Sequence, residues 1–266
     1  MAKLVLGTDI NNTGTAAFVR DKSPERYLEY IVDNNGKLIH DPTVGFSINF
    51  NGVSDLGEYI FSYAFNNNPN VTGALDLSNF TDLTGDYCFF HTFDSCTNIT
   101  SVDLSNLINI ISVSAGSTCS NMFLRCSSLT SINLSALTTI NSNQGCAYMF
   151  AYCPITNVDL SSLTTITQYG ACNGMFSGCT SLTSVDLSSL ATVSGNNGCG
   201  NMFSGCTSLT TLSFPALKTV YSSYVFGNML SGVTGCTVHF PSNLSSYNFN
   251  CGGTNTTVLY DLPATE

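Results

Sequence analysis

Residues 173–193 read NGMFSGCTSLTSVDLSSLATV, and variants of this stretch recur along most of the chain. Aligned on the second apolar residue of each short strand, the copies are anchored at Phe50, Leu77, Leu104, Leu134, Leu160, Leu187, Phe214 and Phe240, with steps of 27, 27, 30, 26, 27, 27 and 26 residues. A period of this length marks a solenoid, in which each unit is too small to fold alone and buries its apolar face on its neighbours. A single coil offers about seven core side chains, too few to offset the ordering of some 27 residues without shared burial and hydrogen bonds between coils.

Within the quoted copy, Leu182, Val185, Leu187, Leu190 and Val193 recur at spacings that begin with period-two alternation. Val185 and Leu187 therefore face inward on a short strand, and Ser184, Asp186 and Ser188 face out. Stacked copies predict a parallel sheet with strands about 4.8 Å apart. A loop rich in Gly, Asn, Ser and Gln follows each strand region, as in residues 194–198. Met175, Phe176 and Cys179, with Cys172 before them, then occupy positions i, i+3, i+4 and i+7, a spacing that places them on one face of a short helical turn. The expected fold class is an α/β solenoid of about seven to eight coils of 26–30 residues, with a parallel sheet on one face and short helical turns on the other. Met175, Phe176, Cys179, Leu182, Val185, Leu187, Leu190 and Val193 form the core of the quoted coil.

Three segments divide the chain: a non-repeat N-terminal cap or attachment segment at 1–42, the array at 43–244, and a C-terminal cap at 245–266. In the first, LVL near the start and RYLEYIVDNNGKLIH read as strands, the latter turning at Asn34-Asn35-Gly36, although Ser23-Pro24-Glu25 could instead open a short helix to Val32. The N-terminus lacks a convincing signal-peptide core, and no apolar run approaches the roughly 18 to 20 residues needed to span a bilayer.

Charged residues make up only 9% of the chain, and the formal net charge is −10. Five of the seven basic residues lie in the first 37 positions, so the array itself is almost purely acidic. Such a surface repels phosphate backbones and argues against nucleic-acid partners and anionic membranes.

The repeat pattern L-x-x-V-x-L-x-x-L-x-x-V followed by M/A-F-x-x-C resembles the BspA-like leucine-rich repeats, and MFSGCTSLTSVDLSSL is similar to the 26-residue repeat of bacterial surface proteins. The likeness covers residues from about 46 to 244. The strand-end proline usual in that family remains at Phe214-Pro215 and Phe240-Pro241, while other copies carry Ser or Asn. The resemblance implies a curved leucine-rich-repeat solenoid that works by adhesion or protein binding, without catalysis and without a cofactor. Surface display on a bacterium or a phage particle, a protein or carbohydrate ligand, and assembly of copies or of a virion through residues 1–42 are the corresponding expectations. A structural spacer held by that same segment is the alternative.

Candidate sites lie where residues face outward or depart from the repeat. Asp76, Asp103, Asn133, Asp159 and Asp186 form one outward column, continued by Ser213 and His239, that could meet a hard cation or sugar hydroxyls, or could simply be a solvated face. The non-repeating aromatics Tyr87 and Phe90 near the start, with Phe89 and His91, and Tyr221 and Tyr224 near the end, with Tyr247 and Phe249, suit interface anchors or cap packing. The twelve cysteines keep step with the repeat and read as small core hydrophobes, with inter-coil disulfides the alternative. Cys88-x-x-His91 is a weak metal hint, and no metal site is expected. His40, His91 and His239 are too scattered for a catalytic triad.

Overall fold

The computed structural model describes residues 2–5, 46–49, 58–59, 61–112 and 116–265. Each coil has three walls around a shared core. The first wall is built from the short strands that carry the outward column of Asp76, Asp103, Asn133, Asp159, Asp186, Ser213 and His239: Thr72–Asp76, Asn98–Asp103, Ser131–Asn133, Asn157–Asp159, Ser184–Asp186, Thr211–Ser213 and Thr237–Pro241. Strands Ala2–Val5 and Phe46–Asn49 extend this wall at one end and Thr257–Leu262 at the other, with every pairing parallel. The second wall is one unbroken parallel sheet of six strands, Asp82–Leu83, Asn109–Ile111, Thr139–Asn141, Thr165–Thr167, Thr192–Val193 and Thr219–Val220. Among the described residues six coils thus carry both strands, fewer than the seven to eight expected, and the Thr237–Pro241 copy contributes a first-wall strand alone.

The third wall departs from the sequence expectation. Where helical turns were predicted, the backbone is a ladder of tight turns, and among the described residues the only helices are 3-10 segments at Ser223–Phe226 and Ser242–Tyr247. A left-handed residue recurs every fourth position, at Gln144, Tyr148 and Tyr152, then Gly170, Gly174 and Gly178, then Asn197, Asn201 and Gly205. Such residues terminate an α-helix. Their effect is to turn alternate amides along the solenoid axis. Cys119, Asn121, Phe123 and Arg125 donate to carbonyls of the next coil at 2.8–2.9 Å, while Met122, Leu124 and Cys126 donate three residues back at 3.2–3.3 Å. Inter-coil bonds replace intrahelical ones, so each coil is fastened to its neighbour on this wall as firmly as on a sheet.

Behind this wall the repeat phenylalanines stack. Phe65, Phe93, Phe123, Phe150, Phe176 and Phe203 form a column with ring centroids 5.3–5.9 Å apart and planes within 8° of parallel. The cysteine closing each turn run supports the column from the side. The thiols of Cys96, Cys126, Cys153, Cys179 and Cys206 donate to the carbonyls of Phe65, Phe93, Phe123, Phe150 and Phe176 of the preceding coil at 2.9–3.2 Å. Cysteine suits this place because it is a small hydrophobe that still carries a weak donor. All twelve thiols are free and buried. In the quoted coil Met175, Phe176, Cys179, Leu182, Leu187, Leu190 and Val193 are buried, and Val185 packs half-buried against them.

At the C-terminal end the open core is covered by rings. Phe249 packs on Phe240 at 4.7 Å and on Phe226 at 5.1 Å, Tyr247 stacks on Phe249, and the Tyr260 hydroxyl accepts from the Phe249 amide at 2.8 Å. No helix of the described residues is long and apolar enough to cross a membrane. The hairpin or helix expected within residues 23–40, the repeat anchor Phe50, and His40 lie outside the described residues.

Candidate functional site

The aspartate column is in register along the first wall, with Asp76 beside Asp103 beside Asn133, and Asp159 beside Asp186. Each of these side chains is committed to its own turn. Asp76 accepts from the Ser78 hydroxyl at 2.6 Å and amide at 3.0 Å, and Asn133 does the same with Ser135 at 2.9 and 3.2 Å. Asp103, Asp159 and Asp186 each accept at 2.9 Å from the amide of the serine two residues on. The Asp-x-Ser spacing of the repeat is therefore an Asx turn that ends each strand. Hydrogen bonds from Ser78 and Ser161, hydroxyl first and then amide, hold the carboxyls of Asp76 and Asp159 below the ordinary carboxylate range. Among the described residues no group of His, Cys, Asp and Glu is arranged to hold a metal ion.

The early aromatics lie on the turn wall and are largely consumed by packing. Tyr87 stacks on Tyr59 at 4.8 Å and meets Phe90 edge-on at 5.5 Å, and Phe89 stacks on Phe61 in the core. His91 stacks on Tyr63 at 4.9 Å, and its Nδ1 lies 2.8 Å from the Asp94 carboxylate. Burial first, and then the Asp94 charge, push the Tyr63 hydroxyl above its ordinary value. The Ser95 hydroxyl donates to Asp94 and not to the imidazole, so no nucleophile faces a base here. Cys88 donates to the Thr118 carbonyl and does not join His91. His239 lies 2.9 Å from Asp261 on the adjacent final strand, a tie across the cap.

Two other exposed tyrosines lie with one side of the ring against the next coil. Tyr148 and Tyr152 occupy the space over the next coil's glycines: a Cβ on Gly174 would fall 2.4 Å from the Tyr148 ring, and one on Gly178 would fall 2.4 Å from the Tyr152 ring. The Arg125 guanidinium lies 5.8 Å over the ring of Tyr152. At this pair of coils the left-handed positions therefore hold tyrosine on one side and glycine on the other.

Tyr221 and Tyr224 are different. They are 67% and 69% exposed, at the corner where the second wall passes into the turn wall, and Tyr169 at 52% lies on the same corner. The corner is strung together by backbone bonds from Gln144 to Tyr169, Gly170 to Asn196, and Cys199 to Val225. Tyr169 and Tyr224 therefore stand two coils apart on one ridge, about 10 Å at strand spacing. No ring stacks on these three among the described residues. The sequence reading overlooked Tyr169; the signal was an aromatic where the flanking copies carry Asn143 and Asn196. The structure thus places the predicted residues in three separate groups: the aspartates on the first wall, Tyr87 and Phe90 within a packed cluster on the third, and Tyr221 and Tyr224 at the corner.

A family model described as the BspA-type leucine-rich repeat region matches in six copies, over residues 47–143 and 91–231. Among solved structures, the chain is similar to a leucine-rich cell surface protein from Faecalibacterium prausnitzii A2-165, at 12% identity and a TM-score of 0.26 over 98% of this chain and 88% of that one. It is also similar to a leucine-rich repeat protein from Bacteroides ovatus, at 16% identity and a TM-score of 0.23 over 82% and 78%. No curated protein matches the chain. With six coils that carry both strands and six matched copies running from residue 47 to 231, the chain belongs to the BspA-type leucine-rich repeat family.

Proposed function

We propose that this chain is a non-enzymatic recognition module, displayed on a bacterial surface or a phage particle, that holds a protein or carbohydrate ligand on the outside of its solenoid. The observation that carries this reading is the corner of Tyr169, Tyr221 and Tyr224, whose rings are exposed although neither the repeat nor the core needs them there. Large aromatic side chains left in water supply contact area to a partner at little entropic cost. The repeat supplies rigidity, because neighbouring coils are fixed to one another by hydrogen bonds on all three walls. A module that presents side chains from such a frame loses little freedom on binding. In keeping with a non-enzymatic role, both described histidines lie against aspartates, and burial pushes the Cys88, Cys96 and Cys199 thiols up to about 12.

The test is retention of purified full-length chain on a panel of immobilised proteins and glycans from its native surroundings. Saturable retention at moderate salt is expected, since the corner carries no charge to be screened. Absence of retention on either class, together with release of the protein from its particle or envelope on deletion of residues 1–42, would instead give it the role of a structural spacer.

A further inference from the structure

The geometry points to a specific ligand chemistry for the tyrosine corner: a neutral oligosaccharide, laid along the solenoid axis across Tyr169, Tyr221 and Tyr224. This deepens the recognition reading above and rests on it.

Three observations converge on a sugar. The first is the state of the rings. Of the exposed tyrosines, Tyr59 is stacked on Tyr87, and Tyr148 and Tyr152 cover Gly174 and Gly178. Tyr169, Tyr221 and Tyr224 stack on no other ring among the described residues, and Tyr221 and Tyr224, at 67% and 69%, are the most exposed large hydrophobic side chains among them, with ring area left to stack on the apolar face of a pyranose.

The second is charge. The corner segments 141–145, 167–171, 194–198 and 221–224 read NSNQG, TQYGA, SGNNG and YSSY, with no Asp, Glu, Lys or Arg among them. Protein-binding hot spots draw on Trp and Arg as well as Tyr, and these segments hold neither Trp nor Arg. A charged glycan or phosphate would find no counter-ion within these segments.

The third is the polar supply between the rings. Asn196 is exposed and Asn197 half-exposed on the coil between them, and Gln144 is exposed on the coil before Tyr169. Each primary amide offers two donors and an acceptor, the match for a hydroxyl that both donates and accepts. By contrast, the Gln168 amide is already engaged with Asn141 at 3.0 Å, and the Asn143 oxygen holds the Tyr169 amide at 3.1 Å. These bonds fix the loop that carries Tyr169. Rings two coils apart, with amides in the coil between them, repeat on the scale of a disaccharide, about 10 Å from strand spacing. The site would therefore favour linear chains over monosaccharides.

The chain contains 12 tyrosines and no tryptophan, so its intrinsic fluorescence comes from tyrosine, and the alanine variants give the share due to these three rings. The experiment titrates the full-length protein with linear neutral oligosaccharides of glucose, galactose, mannose and N-acetylglucosamine, reading tyrosine fluorescence and calorimetry, alongside retention on the protein panel. At least one series should bind saturably, with affinity rising from mono- to tetrasaccharide. Tyr169→Ala, Tyr221→Ala and Tyr224→Ala should each weaken it at least tenfold while leaving thermal unfolding unchanged. Tyr221→Phe and Tyr224→Phe keep the ring face and should retain most of the affinity. Tyr148→Ala, whose ring face is covered, should leave affinity unchanged. Retention of a protein but of no neutral oligosaccharide overturns the sugar assignment and leaves the recognition reading standing. Oligosaccharide binding insensitive to all three alanine substitutions overturns the location, and failure of both ligand classes brings down both readings.

Discussion

Replacing Phe150 with leucine separates the aromatic column from burial as the source of the turn wall's stability. Phe150 is fully buried, with the rings of Phe123 and Phe176 at 5.5 and 5.7 Å and nearly parallel to it. Phe203 is equally buried but has a single stacked neighbour in this column, Phe176 at 5.9 Å. Leucine remains apolar at both sites, so the loss of volume is nearly the same and costs each variant about 1 kcal/mol. Each ring pair is worth roughly 0.5–1.5 kcal/mol beyond its buried area. Phe150→Leu therefore forfeits about 1–3 kcal/mol of stacking and Phe203→Leu about half as much. With a urea dependence near 3 kcal/mol per molar, the mid-column variant should unfold about 0.2–0.5 M earlier than the end variant. Urea unfolding followed by circular dichroism in reducing buffer makes the comparison. Because Phe150 lies mid-array, its variant should also show a broader transition as coils on either side uncouple. Equal midpoints, or a milder effect at Phe150, would refute the view that ring stacking along the axis contributes beyond burial.

Raising the pH should destabilise the protein progressively above about pH 9. Burial pushes Cys88, Cys96, Cys199, Cys206 and Cys251 up to about 12 from an unfolded value of 9.0. Their contribution is thus full below pH 9 and is lost as the pH rises towards 12, at about 1.4 kcal/mol per thiol per pH unit; a urea midpoint that stays flat from pH 8 to 11 would contradict it. Asp186→Asn should be nearly neutral because an amide oxygen can hold the Ser188 turn as Asn133 holds Ser135, whereas Asp186→Ala should cost about 1 kcal/mol; thermal unfolding of the pair distinguishes a turn residue from a charge. Gly178→Ala should destabilise by at least ~1 kcal/mol from its left-handed backbone alone and by more from the clash with Tyr152, and the excess should disappear in a Tyr152→Ala background.

What could be read from residues alone was whatever repeats with a fixed facing direction. The alternation at Val185 and Leu187 located the first wall, and the Met175, Phe176 and Cys179 spacing identified the inward side of the third. That spacing could not say whether the third wall is helical, because a period of four fits both a helix face and a run of turns with one left-handed residue in four. The paired glycines Gly174 and Gly178 were the available clue, but at the neighbouring coil the same positions hold Tyr148 and Tyr152, whose backbone is left-handed because inter-coil hydrogen bonds require it. The aspartates illustrate the same limit. Sequence placed Asp103 and Asp159 in one outward column, and only the folded turn shows that an oxygen of each is held by its own serine.

The sequence by itself determined the period, the core side of each coil and the membership of the aromatics in the non-repeating set, since these follow from residue type and spacing. Tertiary structure decided which aromatics remain open. Tyr148 and Tyr221 look alike in sequence, but one ring lies over a glycine of the next coil and the other lies over none, and contacts between residues 26 or more positions apart exist only once the coils are stacked.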